Sequence, residues 1–184
     1  VGMSGTSMNA AANGLLGQLY PEVLEAETGF IDGSTINMEE LLKLRQSKRP
    51  DLLLGVEIKE YTENCVDKTV ALLKEYGVFD KCFFYAFDAN IIRYLYTKYD
   101  ARTMGYPDFQ MRNYQSDSYS YYKELGLDLK YVRSEIFPIY KEKNLPLHMY
   151  CADNEENVRM CIEKGADLIT ANDPVPLMKV LGRL

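Results

Sequence analysis

The sequence predicts an α/β fold, a parallel sheet covered by helices. Short runs of β-favouring apolar residues alternate with segments whose apolar residues recur every three or four positions. The alternation repeats six times at regular spacing, the pattern of successive βα units. The helical segments also carry boundary chemistry, with a capping residue before them and a glycine after.

The elements follow in order. Asn37 with Glu40 three positions later is a capping signature, and Met38, Leu41, Leu42 and Leu44 form the apolar stripe of a helix that Pro50 closes. Residues 52–58 are a short apolar run ending in charge, the first strand. Val66, Val70, Leu73 and Tyr76, with neighbouring Thr69 and Leu72, mark the next helix, stopped by Gly77. Residues 81–87 are rich in Phe and Tyr and form the second strand. Ile91, Ile92, Leu95, Tyr96 and Tyr99 mark a helix, and residues 101–106 a third strand. Residues 119–125 read as a helix ended by Gly126, residues 127–133 as a fourth strand, and residues 136–143 as a helix interrupted by Pro138. Residues 145–152 are the fifth strand. Asp153 caps the helix after it, with Glu156 completing a capping box and Gly165 ending the helix. Residues 166–170 are the sixth strand, and Asp173-Pro174 opens the last helix.

Residues 1–30 read as an irregular segment, because residues 4–17 are rich in Gly, Ser, Asn and Ala without a period. The βα text occupies residues 31–184. Two architectures accommodate six units, a doubly wound sheet and a (β/α) barrel, of which a full barrel takes eight units and typically ~250 residues. No G-x-G-x-x-G follows the first strand, which weighs against dinucleotide binding.

Composition bounds the function. The chain has 184 residues, 47% hydrophobic and 26% charged, enough apolar surface for one ordinary core. Acidic residues outnumber basic ones 27 to 21, a net charge of −6, which argues against non-specific nucleic-acid binding. No run approaches the ~18 apolar residues of a membrane span, and the start lacks a signal-peptide pattern, so the expected location is cytoplasmic. The four cysteines, 65, 82, 151 and 161, form no C-x-x-C, so neither zinc nor thioredoxin chemistry is suggested. Cys82 and Cys151 lie in apolar runs and read as core residues. The single histidine, His148, excludes any mechanism in which this chain alone supplies two.

Several segments together resemble the glycerophosphodiester phosphodiesterase family. Gly55-Val56-Glu57-Ile58-Lys59 is similar to the family's strand ending in E-I-K, and Tyr85-Ala86-Phe87-Asp88 to its S-F-D strand end, with Ala86 in place of Ser. Met149-Tyr150-Cys151-Ala152-Asp153 looks like its W-T-V-N end, and Gly165-Ala166-Asp167-Leu168-Ile169-Thr170 like its G-V-D-G-I-I-T-D ending. Residues 34–44 resemble the helix that precedes E-I-K. The resemblance covers about residues 31–184.

The resemblance implies an incomplete (β/α)8 TIM-barrel type, with the six strands corresponding to strands three to eight. It implies metal-dependent hydrolysis of glycerophosphodiesters to glycerol 3-phosphate and an alcohol. Glu57 then corresponds to a ligand of a divalent cation, Mg²⁺ or Ca²⁺, Lys59 to a lysine on the phosphate, and Tyr150 to an aromatic wall for the substrate. The family's H-R-G, E-x-D and H-D motifs, which supply its two histidines and two further metal ligands, are not found here. The expectation is therefore a fragment or incomplete form. The alternative is a catalytically inactive binding or scaffold protein of the same fold. Phosphodiesterases similar to sphingomyelinase D or to phosphatidylinositol phospholipase C share the architecture, but E-I-K and the C-terminal matches favour the glycerophosphodiesterase resemblance. Six strands of eight leave open edges, so self-association or pairing with an N-terminal segment is expected.

Plainer readings stand beside these. Glu57 and Lys59, two apart on a strand, share a face and can pair with each other. His148 reads as a hydrogen-bonded core residue, and Asp88 and Asp153 as helix caps. Tyr114, Tyr119, Tyr121 and Tyr122, with Arg112 and Lys123 nearby, read as a helix docked by some of its tyrosines rather than as a loop contacting a head group.

Overall fold

The computed structural model describes residues 38–183, so the readings made on residues 1–30 and on the Asn37 cap lie outside the described residues. These residues fall into two compact units, 38–125 and 126–183.

In the first unit, helix α1 (Met38–Lys48) leads into β1 (Leu54–Glu57), α2 (Glu63–Glu75), β2 (Cys82–Tyr85), α3 (Ala89–Tyr99) and β3 (Thr103–Gly105). Strand β4 (Glu124–Asp128) begins as this unit ends. The strands pair in parallel, with Leu54 opposite Cys82, Glu57 opposite Tyr85, Tyr85 opposite Met104 and Met104 opposite Glu124. Alternation along the strands therefore sorts the residues by face. Gly55, Glu57, Phe83, Tyr85, Met104 and Glu124 share one face. Val56, Ile58, Phe84 and Leu125 point the other way and are buried with Val66, Val70 and Leu73 of α2 and Ile92 and Leu95 of α3 among the core residues. These are the helix positions that the apolar spacing selects. The Thr62 hydroxyl caps α2 by accepting from the Cys65 N–H at 3.2 Å, and Gly77 takes the left-handed φ of 64° just beyond its end.

The second unit carries α4 (Leu129–Val132), α5 (Phe137–Lys141), β5 (Leu147–Tyr150), α6 (Glu155–Glu163), β6 (Leu168–Thr170) and α7 (Val175–Val180). β5 and β6 are parallel, with His148 opposite Leu168 and Tyr150 opposite Thr170. Strand order follows chain order from β1 to β6. A doubly wound sheet reverses its order at a switch point, whereas a (β/α)8 barrel does not. The fold class is thus α/β of incomplete TIM-barrel type.

Five readings are corrected. Residues 119–125 do not form a helix. One 3₁₀ turn (Ser118–Tyr121) precedes β4, which already includes Leu125 and Gly126. The Lys123 N–H donates to the Thr103 carbonyl at 2.9 Å, so the chain is extended before the glycine arrives. Residues 129–132 are consequently helix rather than strand. Pro138 lies in the first turn of α5, where its missing N–H costs nothing, and opens the helix instead of interrupting it. Asn154, not Asp153, caps α6, its side chain accepting from the Asn157 N–H at 2.9 Å. Asp153 instead accepts from the backbone and side-chain nitrogens of Asn172 at 2.6 and 2.9 Å, holding the end of β5 to the loop after β6. Cys82 is buried as expected, but Cys151 is exposed, because its left-handed φ of 71° ends the strand there. Asp173-Pro174 does open the last helix, with Pro174 just before its first turn.

Candidate active site

The E-I-K segment delivers Glu57 and Lys59 to the C-terminal end of β1. The two side chains share a face and meet, Lys59 Nζ lying 3.3 Å from Glu57 Oε2. Glu57 is 24% exposed and Lys59 45%, so the pair remains open to solvent.

The sequence reading missed Tyr85, the neighbour of Glu57 across the strand pair. Its ring stacks on Phe83 at 5.8 Å between centroids. Phe83 in turn lies over Gly55, where a Cβ would stand 2.7 Å from the Phe83 Cζ. A glycine at 55 therefore makes room for Phe83, and Phe83 supports Tyr85. Burial pushes the Tyr85 hydroxyl up to about 12, and the Glu57 carboxylate adds to the shift. The tyrosine is therefore a neutral donor across the ordinary pH range. Beyond the ends of β2 and β3, Phe87 and Tyr106 stack at 4.1 Å with rings 4° from parallel.

A second acid–base pair lies on this face at the start of β4. Arg102 Nε donates to Oε1 of Glu124, the first residue of β4. Glu124 Oε2 is buried without a hydrogen-bond partner among the described residues. Asp88 is a cap, as read: Oδ1 accepts from the Asn90 N–H at 3.0 Å and Oδ2 from Asn113 Nδ2 at 2.7 Å.

In the second unit, Tyr150 ends β5 and is half-buried. His148 is buried, with Nε2 bonded to the Thr170 hydroxyl, the core arrangement expected of it. The tyrosine-rich stretch packs largely on its own rings, Tyr114 on Tyr119 at 5.7 Å and Tyr119 on Tyr122 at 5.3 Å, both edge to face. Arg93 lies over Tyr121 at 4.7 Å. The tyrosines are docked as expected, though on a 3₁₀ turn rather than a helix.

Among the described residues, no three His, Cys, Asp or Glu side chains stand together as a metal-ligating group. Glu57 supplies one carboxylate, whereas Mg²⁺ and Ca²⁺ take six or more oxygens. The described residues by themselves do not fit a divalent-cation site.

No family model matches the sequence, and no curated protein matches it. Solved structures do match the fold. A protein assigned as a glycerophosphodiester phosphodiesterase from Galdieria sulphuraria superposes with a TM-score of 0.65 at 19% identity, over 79% of this chain and 63% of that one. A glycerophosphodiester phosphodiesterase from Parabacteroides distasonis gives 0.63 at 13% identity, over 79% and 64%. An EAL protein from Vibrio cholerae in its c-di-GMP-bound form gives 0.52 at 11% identity, over 74% and 73%. The chain thus spans less than two thirds of the two glycerophosphodiesterase structures. The fold is of the kind that the E-I-K and C-terminal segments suggested.

Proposed function

We propose that this chain is the phosphodiester-binding portion of a glycerophosphodiesterase-type barrel, with Lys59 neutralising the phosphoryl group and Glu57 beside it. The observation that supports this most is the Glu57–Lys59 pair, held solvent-accessible at the C-terminal end of a parallel strand. That end is where (β/α) barrels build their active sites. A lysine ammonium is a compact positive charge suited to a phosphate, and its exposed partner is easily exchanged for a ligand.

Hydrolysis needs more than binding. A nucleophile must be activated and a leaving group protonated. Lys59 can offset charge, and the neutral Tyr85 hydroxyl can donate a hydrogen bond. The one histidine is buried on Thr170 and lacks the exposure of a general acid or base. On this reading the two histidines implied by the resemblance are not supplied by this sequence, whose one histidine is His148, and the further cation ligands are not among the described residues. The buried His148 also favours a second reading, a binding or scaffold protein of the same fold without catalysis.

Two assays on the purified 184-residue chain test the proposal. Calorimetric titration with glycerophosphocholine is expected to show binding that Lys59→Met weakens. Hydrolysis of the same compound with Mg²⁺ or Ca²⁺ is expected to stay at the level of an EDTA control. Absence of binding would overturn the proposal. Metal-dependent turnover lost in Glu57→Gln would overturn its catalytic half and make His148 the first residue to substitute.

A further inference from the structure

We infer that Tyr85 is a ligand-contacting residue whose hydroxyl donates a hydrogen bond to a phosphoryl oxygen of the anion that Lys59 neutralises. This deepens the reading of the Glu57–Lys59 end as a phosphodiester site and rests on it.

Three observations converge. Parallel pairing sets Tyr85 directly beside Glu57, and the Ile58 N–H donates to the Tyr85 carbonyl at 2.9 Å, so the two strand ends are locked in register. The ring is held at its base, stacked on Phe83, which fills the space that Gly55 leaves. The hydroxyl makes no hydrogen bond among the described residues, and the side chain is only half-buried. An anchored ring on a half-buried side chain at a strand end, with a hydroxyl that no described residue engages, is an arrangement that folding alone does not require.

The chemistry selects the ligand class. A carboxylate neighbour disfavours a second anion, but Lys59, 3.3 Å from that carboxylate, offsets its charge. A lysine supplies charge with little direction, because its stem is flexible. A stacked tyrosine supplies direction. Together they suit a group that is both anionic and rich in acceptors, such as a phosphate ester. The resemblance gives no hint of this residue, since it rests on Ala86, Phe87 and Asp88. Only strand parity shows that Ala86 faces away, fully buried, while Tyr85 faces with Glu57.

The test is calorimetric titration of the full chain with glycerol 3-phosphate, with glycerol as the uncharged control, for wild type, Tyr85→Phe and Lys59→Met. Tyr85→Phe keeps the ring on Phe83 and removes one hydrogen bond to a charged group, so roughly tenfold weaker binding is expected. Its urea midpoint should match that of wild type, and glycerol should bind none of the three. Binding by Tyr85→Phe within about twofold of wild type, with Lys59→Met weakened, would overturn the tyrosine contact and leave the lysine reading intact. No binding by wild type, or no loss in Lys59→Met, would overturn the underlying reading and the tyrosine contact with it.

Discussion

One face of the first unit carries two acid–base pairs, and they are built in opposite ways. Glu57 and Lys59 are two residues apart on one strand, at its C-terminal end, 3.3 Å from each other. Arg102 immediately precedes β3 and Glu124 opens β4, 22 positions apart in sequence. The Glu57 side chain is 24% exposed, that of Glu124 only 4%. Water screens the first pair, so its members can exchange partners at little cost. The second holds a carboxylate away from water, where losing the partner leaves a buried charge. The comparison teaches that two pairs on one sheet face can divide the work. The Arg102–Glu124 pair at the start of β4 is built to hold structure, and the Glu57–Lys59 pair at the end of β1 is the one open to solvent.

The sharpest break of this comparison is Arg102→Ala. It leaves Glu124 buried without its guanidinium, and urea unfolding is expected to show a loss of about 3 kcal/mol, toward the lower end for a broken buried pair because Arg102 is 42% exposed. A loss no larger than that of an ordinary surface substitution would merge the two pairs into one class.

Alkaline pH acts next. Tyr85 titrates near 10 when unfolded and at about 12 when folded. Its contribution is fully present below pH 10 and is lost as pH rises from there through about 12, since the unfolded chain releases its proton first. The shift corresponds to a loss of roughly 2–3 kcal/mol. Burial pushes the Cys82 thiol up to about 11 and raises the Tyr122 hydroxyl too, and both add loss in the same direction. Urea midpoints measured at pH 8 and pH 10.5 should fall with pH, and Tyr85→Phe should fall less.

Gly55→Ala probes the support beneath Tyr85. The added Cβ would stand 2.7 Å from the far end of the Phe83 ring, so that buried ring must shift. Overpacking of this kind costs about 1–2 kcal/mol, readable by thermal or urea unfolding. Because Tyr85 rests on that ring, glycerol 3-phosphate binding should weaken alongside. The smallest effect on stability belongs to Lys59→Met. Its pair is exposed, so the urea midpoint should move by less than the equivalent of about 0.5 kcal/mol while ligand binding falls.

The sequence made the local features legible and left the non-local ones hidden. The run at 52–58 identified β1 because Val56 and Ile58 alternate into the core while Glu57 and Lys59 do not. Asp88 was legible as a cap because its bond to the Asn90 N–H spans two residues. The start of β4 was not legible. Gly126 resembles a helix stop, and only the bond from Lys123 back to Thr103 reveals an extended chain. The Arg102–Glu124 pair depends on the register of β3 against β4, which no local pattern encodes. Tyr85 falls between these cases. Strand alternation was readable in residues 81–87, but that Tyr85 stands opposite Glu57 follows only from the pairing.

The division of work between the two pairs is tested most directly by backbone amide shifts of the ¹⁵N-labelled chain during titration with glycerol 3-phosphate. The expected result is concentration-dependent movement at Glu57, Lys59 and Tyr85, with Arg102 and Glu124 unmoved. Movement centred on Arg102 and Glu124, or none at Glu57 and Lys59, would contradict it.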